Sequence, residues 1–195
     1  MITKLTTATA LLALTALAVT TAGIGAPSTY RGDPARSSLI FVFKQAGADN
    51  RGNFKKLRTE LRFDAALPAA GSLNVVVDTG SLDTGDKDRD TALRGPDLFD
   101  TARFPQATFV AQSLAKLPDG SYAAVGKLTI RDISRDLTIP LRIETDKASG
   151  KTAMALRGTT TINRLDFGVG QGEWRSTEWV ANAVTVEYSV PLRQP

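Results

Sequence analysis

The chain has 195 residues, of which 42% are hydrophobic, and a formal net charge of +4 at pH 7; this length suits a single domain with its own core. It contains no cysteine and no histidine, which excludes disulfides, thiolate or imidazole metal sites, and Ser-His or Cys-His nucleophile pairs. Because basic residues are interleaved with acidic ones, no nucleic-acid partner is expected.

Residues 1–26 are predicted to be a secretory signal peptide. The segment has a single charge, Lys4, then a run rich in alanine, leucine and threonine, and small residues before Pro27. Cleavage is expected near residues 22–26. A retained membrane anchor is the alternative, but the run is short and only weakly apolar. The domain is therefore assigned to residues 27–195, and its location to the periplasm or the outside of the cell.

From Ser38 onward, apolar residues alternate with polar ones, which is typical of strands with one buried face. In the clearest segment, Leu57, Leu61 and Phe63 share one face and charged residues share the other. In ATFVAQSLAKL both parities carry apolar residues, so the direction of Phe109 stays open. Eight strands are predicted, in SLIFVFK, FKKLRTELRFD, SLNVVVDT, ATFVAQSLAKL, SYAAVGKLTIRD, DLTIPLRIET, TAMALRGTTTIN and NAVTVEYSVPL.

Turn residues indicate how these strands connect. The segments Pro118–Gly120 and Lys147–Gly150 are typical of hairpin turns, so consecutive strands are predicted to pair antiparallel. Pro140 and Pro191 have no N–H group to donate and both fall on the outward parity of their strands. They predict edges, bulges or loose pairing at these two positions.

The segment from Ser81 to Gln106 is too long for a hairpin turn. Asp86 or Thr84 is predicted to cap a short helix that ends near Gly95. A calcium loop starting at Asp86 is the alternative, but the segment has Thr91 in place of the turn glycine that such a loop requires. A solvated, partly helical acidic loop is the preferred interpretation.

About eight antiparallel strands with one apolar face can close into a barrel or pack as a sandwich. A barrel of this size is either filled by its own side chains or holds one small ligand. Several inward positions, Ala124, Gly126, Gly158 and Thr160, carry small residues. They indicate a cavity.

The segment RLDFGVGQGEW contains a DFG triplet and alternating glycines, but no other kinase motif is present, and its glycines lead to a second strand instead of a helix N-terminus. No nucleotide site is therefore expected. Trp174, Trp179 and Phe167 cluster there and either plug one end of a barrel or line a ligand entrance. No catalytic residue, metal site or cofactor is assigned, and the protein is not expected to be an enzyme.

The chain from Ser38 to Leu192 resembles the YceI-like family of secreted lipid- and polyisoprenoid-binding proteins. The resemblance is carried by SSLIFVFK, GNFKKLRTELRFD, VDTGSLDTGDKDRDTALRGPDLFDTARFPQATF, YAAVGKLTIRDISRDLTIPL and INRLDFGVG. It implies an all-β fold, a lipocalin-like antiparallel eight-stranded barrel with a short helical excursion between two strands. It also implies a long apolar tunnel for an isoprenoid chain or a related lipid.

Three positions depart from the family pattern. Many members have histidine where this chain has Gln45 and Ala92, and usually glycine where it has Asp132. Any role of those histidines toward a ligand head group or a metal is therefore not carried over, whereas the apolar interior is unaffected.

The expected function is to sequester or carry one isoprenoid or other long-chain lipid, with transient membrane contact and a homodimer both compatible with it. The alternative is a filled barrel without lipid, acting as an interaction or stress-related protein with a membrane redox partner. The predicted ligand-binding residues are Phe41, Phe43, Phe63, Val75, Phe99, Phe104, Leu128, Ile130, Ile139, Met154, Phe167, Trp174, Val186 and Tyr188.

Overall fold

A computed structural model describes residues 26–146 and 153–195. The predicted signal peptide, apart from residue 26, and the predicted turn at 147–150 lie outside these residues. The helix α1 covers Lys87–Arg94, and none of the described helices is long and apolar enough to cross a membrane. The strands are Ser28–Gly32 (β1), Ser38–Gln45 (β2), Ala48–Phe54 (β3), Leu57–Phe63 (β4), Ser72–Asp78 (β5), Leu82–Asp83 (β6), Gln106–Lys116 (β7), Tyr122–Ile130 (β8), Ile133–Asp146 (β9), Ala153–Asn163 (β10) and Val180–Arg193 (β11).

The strands form a closed antiparallel barrel of eight strands, as predicted. The hydrogen-bonded order β1-β4-β5-β7-β8-β9-β10-β11 closes because β1 also pairs with β11. Closure joins the first and last strands of this order, so the ring has no terminal strand. Three further strands extend this ring along the barrel axis: β2 extends β1, β3 extends β4, and β6 extends β5. They pair in the same order, since β2 pairs with β11 and β3, and β3 pairs with β6.

All eight predicted strands are present, and three further strands were missed. The missed strand β3 is polar at most of its positions, so it carries no clear alternation. Its inward position is Gly52, where a side chain would overlap the ring of Phe41. A glycine therefore makes room for an aromatic ring from the neighbouring strand, and the hydrophobic signal lies in β2 instead of β3.

The predicted helix is confirmed as α1. The Asp86 side chain accepts hydrogen bonds from the backbone N–H groups of Asp88 and Arg89, so Asp86 is the N-cap. The predicted end near Gly95 is also confirmed, because the helix ends at Arg94. Asp90 faces back into the protein and accepts hydrogen bonds from the Thr84 backbone and hydroxyl groups.

Both prolines occupy places where a neighbouring strand is interrupted or lost. The Pro191 carbonyl accepts a hydrogen bond from Asp33, which lies in the break between β1 and β2. Pro140 lies just beyond the last paired residues of β9 and β10, Arg142 and Arg157. The predicted loose pairing is confirmed at both positions.

One half of the barrel interior is densely filled. Its side chains belong to the main core and none of them borders the cavity described below. The ring of Phe63 packs edge-on against Tyr122, with centroids 5.0 Å apart. This closed end consists of Leu61, Phe63, Ala111, Leu114, Tyr122, Ala124, Met154 and Leu192.

Candidate functional site

The other half of the barrel encloses a cavity of about 520 Å³. This volume lies within the range of small-molecule sites in proteins, roughly 300–1,000 Å³. Nearly all strands contribute to its wall, and the α1 side of the barrel covers it. Its apolar lining includes Leu39, Phe41, Phe43, Leu73, Val75, Leu93, Phe99, Phe109, Leu128, Ile130, Leu137, Ile139, Leu156, Ile162, Trp174, Val184, Val186 and Val190.

The cavity is blind, whereas the family resemblance implied a long tunnel. Three of its lining residues, Leu73, Leu156 and Val190, also belong to the main core cluster that includes the closed end. Large side chains fill that end, since Leu61 and Leu114 are each no more than 1% exposed and Phe63 of β4 packs against Tyr122 of β8. A ligand in this cavity therefore cannot extend into the closed end of the barrel.

Most of the predicted ligand-binding residues line the cavity. Phe63 and Met154 instead belong to the closed end. Phe104 lies outside the barrel interior, with the guanidinium groups of Arg103 and Arg131 over its ring at 4.9 and 5.2 Å. Phe167 is buried beside the cavity without bordering it. The predicted residues that line the cavity are Phe41, Phe43, Val75, Phe99, Leu128, Ile130, Ile139, Trp174, Val186 and Tyr188.

The prediction missed two kinds of lining residue. Leu39, Leu137 and Ile162 lie on predicted strands, on the same parity as residues that were named, so the alternation could have found them. Leu93 and Val169 come from α1 and from the loop before β11, where no strand pattern marks the inward side.

Polar residues line the cavity where it reaches the surface beside α1. Asp86, Asp88 and Ala92 are exposed, and Arg89 and Gln45 are partly exposed. The backbone N–H of Arg89 donates to the Asp86 carboxylate and lowers its pKa below the ordinary value, so this carboxylate carries its charge at neutral pH. Gln45 and Ala92, the two positions that depart from the family pattern by lacking histidine, are both among the residues that line the cavity.

A buried arginine fixes the loop beside the cavity. Arg164 is only 4% exposed, and its guanidinium donates to the backbone carbonyls of Val169, Ser176, Val180 and Ala181. Burial lowers its pKa, and within the described chain no carboxylate forms an ion pair with it. The loop thus wraps around one cation, and this arrangement holds Trp174 and Val180 in the cavity wall.

Tyr188 crosses the inner surface of the barrel. It pairs with Gly158 of β10, and its hydroxyl reaches past that glycine to donate to the Pro140 carbonyl of β9. A side chain at position 158 would overlap the hydroxyl and the Pro140 carbonyl. In the sequence, the small residue Gly158 indicates a cavity. In the structure, the space beside Gly158 is instead filled by the Tyr188 side chain.

Burial raises the pKa of the Tyr188 hydroxyl above its ordinary value of 10.0. The folded state therefore retains this proton at pH values where the unfolded chain loses it. We expect the difference in free energy of unfolding between the native protein and Tyr188→Phe to be constant below about pH 10 and to shrink as the pH rises further. Urea unfolding across the alkaline range measures this difference, and a constant difference across that range would contradict the prediction.

The two tryptophans have different positions. Trp174 lines the cavity, so the entrance-lining interpretation describes it better than the plug. Trp179 is 70% exposed, and its carbonyl accepts a hydrogen bond from Ala46, next to Gln45 at the mouth. One tryptophan can therefore report on the cavity and the other on the outer rim.

A closed antiparallel barrel around a blind apolar cavity defines a small-ligand-binding barrel as the structural class. The YceI-like domain family matches residues 30–192, and the chain belongs to this family. The UPF0312 protein of Shewanella sp. (strain W3-18-1) is 31% identical over 138 residues, which cover 69% of this chain and 72% of that protein.

Solved structures show the same fold. BcnA of Burkholderia cenocepacia matches with a TM-score of 0.77 at 34% identity, covering 82% of this chain and 98% of that chain. A polyisoprenoid binding domain from Saccharophagus degradans, implicated in plant cell wall breakdown, matches with a TM-score of 0.68 at 18% identity. That match covers 85% of this chain and 98% of the other, and at this identity it shows the fold alone.

Proposed function

We propose that this protein binds and carries one long-chain lipid, an isoprenoid such as a polyprenyl alcohol or the tail of a quinone, in its apolar cavity. The observation that carries the proposal is the cavity itself, about 520 Å³ of space bounded by aliphatic and aromatic side chains. Membership of the YceI-like family and the fold shared with a polyisoprenoid binding domain support the same ligand class.

The energetics suit reversible carriage. Removing a lipid chain from water gains about 0.8 kcal/mol for each buried methylene group. A chain that leaves a membrane is already out of water, so its transfer into the cavity is nearly neutral and is opposed by the entropy of confinement. A carrier of this kind can load from one apolar environment and unload into another without a chemical step.

The proposed place of action is the periplasm or the outside of the cell, after removal of residues 1–26. The N-terminal sequence pattern supports this location. Loading requires transient contact with a membrane, and the exposed Trp179 beside the mouth suits such contact, since tryptophan is enriched at membrane surfaces. The alternative of a wholly filled barrel has less support, because only the closed end is filled.

The first test is to purify the mature protein from its native envelope and to compare native mass spectra with an organic extract. A stoichiometric adduct that matches an extracted isoprenoid or acyl species would support carriage and identify the cargo. The same spectra report whether a homodimer forms. A homogeneous ligand-free mass, with no uptake of a prenylated benzoquinone or a fatty amide on incubation, would contradict the proposal.

A cavity-filling substitution tests the location of the ligand. Val186→Trp places an indole ring in the cavity, and we expect it to weaken binding of geranylgeraniol at least tenfold in native mass spectra while the barrel stays folded. Val125→Trp is the matched control, because the Val125 side chain is 52% exposed and does not line the cavity. Equal binding by the two variants would place the ligand elsewhere.

A further inference from the structure

The barrel wall is incompletely paired at one place. Pairing between β9 and β10 runs from Asp146 with Ala153 to Arg142 with Arg157 and then stops, although both strands continue. Within the described chain, no pair joins the rest of β9 to the rest of β10. In contrast, β9 pairs with β8 over the full length of β8, and β10 pairs with β11 as far as Asn163.

This split lies at the level of the cavity. Leu137 and Ile139 of β9 and Thr160 and Ile162 of β10 line the cavity from the two sides of the split. The paired segment of the same strands includes Met154, which belongs to the closed end. The ladder between β9 and β10 is thus formed beside the closed end and as far as Leu156 at the start of the cavity, and it is interrupted along the rest of the cavity.

Local sequence accounts for the split. A strand residue directs its N–H and C=O groups toward the same neighbouring strand. The Pro140 carbonyl accepts from Tyr188 across the position of β10, so the missing N–H of Pro140 is also on the β10 side. The Tyr188 hydroxyl of β11 thus supplies the donor that a ladder partner on β10 would otherwise supply, and its hydrogen bond ties β9 to β11 across Gly158 of β10.

The outer residues nearest the end of the ladder differ from those of the paired segment, whereas the charged Asp136 lies further along β9 and pairs with Lys127 of β8. Thr138, Pro140, Thr159 and Thr161 are all exposed and uncharged. On the paired segment, the exposed outer residues Arg142, Glu144 and Arg157 are charged, and Glu144 forms an ion pair with Arg157 at 2.9 Å. An apolar chain that passes between β9 and β10 therefore meets no charged side chain at these four positions.

We propose that the split between β9 and β10 is a lateral opening of the barrel wall, held closed by the Tyr188–Pro140 hydrogen bond, through which a long isoprenoid chain passes. This inference rests on the proposed function. Because the cavity is blind, a chain longer than the cavity must fold back toward the mouth or leave through the wall. The split lies at cavity depth, and release of the Tyr188 hydrogen bond would let β9 and β10 separate there and open a route through the wall.

A chemical bridge across the split tests this opening. The chain has no cysteine, so Thr138→Cys with Thr161→Cys introduces one unique thiol pair, which a short bismaleimide can join. These two positions would face each other if the register of the paired segment continued. Glu144→Cys with Ala155→Cys is the matched control, because Glu144 and Ala155 are a true pair of the ladder. Mass spectrometry verifies each bridge.

Uptake is followed in a Trp179→Phe background, where quenching of Trp174 by a prenylated benzoquinone reports entry into the cavity. We expect the 138–161 bridge to slow uptake of a quinone with a long prenyl chain at least tenfold. The same bridge should change the uptake rate of a quinone with one isoprene unit less than twofold relative to the unbridged variant. In the protein bridged at 144–155, the uptake rates of both quinones should also change less than twofold. Unchanged uptake of the long-chain quinone after bridging at 138–161 would overturn the inference.

A ligand-free measurement separates this inference from the proposed function. If the unbridged protein binds no prenylated compound, the proposed function is contradicted. Hydrogen exchange then still tests whether Tyr188 holds the split between β9 and β10 closed. We expect Tyr188→Phe to speed amide exchange at least fivefold in residues 135–141 and 158–163, with little change in residues 122–128 of β8. Equal exchange in the native protein and the variant would show that Tyr188 does not hold the split closed.

Discussion

Replacement of Arg164 by leucine is expected to lower the free energy of unfolding by more than about 3 kcal/mol, because each buried backbone carbonyl left without a donor costs roughly 1–3 kcal/mol. The guanidinium supplies donors to Val169, Ser176, Val180 and Ala181, and the hydrogen bonds to Val169 and Val180 are buried. Urea unfolding followed by circular dichroism measures the loss.

An exposed arginine in the same loop provides the control. Arg175 donates only to the Gln171 side chain, at 3.3 Å, so Arg175→Leu should change stability by less than about 0.5 kcal/mol. Arg164→Lys should give an intermediate loss, since an ammonium group cannot reach all four carbonyls at once. A loss from Arg164→Leu as small as that from Arg175→Leu would show that the loop does not depend on this cation.

Truncation of Leu61 to alanine should lower the free energy of unfolding by about 3 kcal/mol, because Leu61 is fully buried in the closed end and its removal leaves a void. For a domain of this size the thermal midpoint should fall by roughly 6–12 °C. Differential scanning calorimetry of the ligand-free protein measures the shift.

The comparison variant is Leu128→Ala, in the cavity wall. Leu128 already borders empty space, so fewer packing contacts are lost and the cost should stay below about 2 kcal/mol. Equal losses from Leu61→Ala and Leu128→Ala would contradict the division of the barrel into a filled half and a hollow half.

Alternation along the strands predicted the barrel and most of the cavity wall, because a period of two assigns each residue to one face without knowledge of the partner strand. The same rule could not separate the filled half from the hollow half. Phe63 and Phe41 are both phenylalanines on the inward parity of a predicted strand. However, Phe63 packs against Tyr122 across the barrel, whereas Phe41 borders the cavity. Depth along the barrel axis depends on strand stagger, which no single strand encodes.

The open question of Phe109 has a structural answer. The register of β7 against β8 shifts between Ala111 and Ser113, as in a β-bulge. Phe109 and Ala111 therefore face inward on one parity and Leu114 faces inward on the other, since all three are buried. An extra residue in the strand reverses the alternation, which explains why both parities of this segment carry apolar residues.

The loop contacts could not be predicted, because they depend on the complete fold. Trp174 and Trp179 are close in sequence and alike in chemistry, but one borders the cavity and the other is exposed. The fourfold carbonyl contact of Arg164 forms only when the 164–181 segment has closed around it. The sequence marks this segment as glycine-rich without indicating the cation at its centre.

The division of the barrel has an evolutionary consequence. The closed end is filled by its own side chains, whereas residues of the cavity wall border empty space. Substitutions of wall residues such as Leu128 are therefore expected to cost less stability than substitutions in the closed end, so the cavity lining can diverge while the scaffold persists. Barrels that share this fold at identities from 18% to 34% are the outcome expected of such a scaffold.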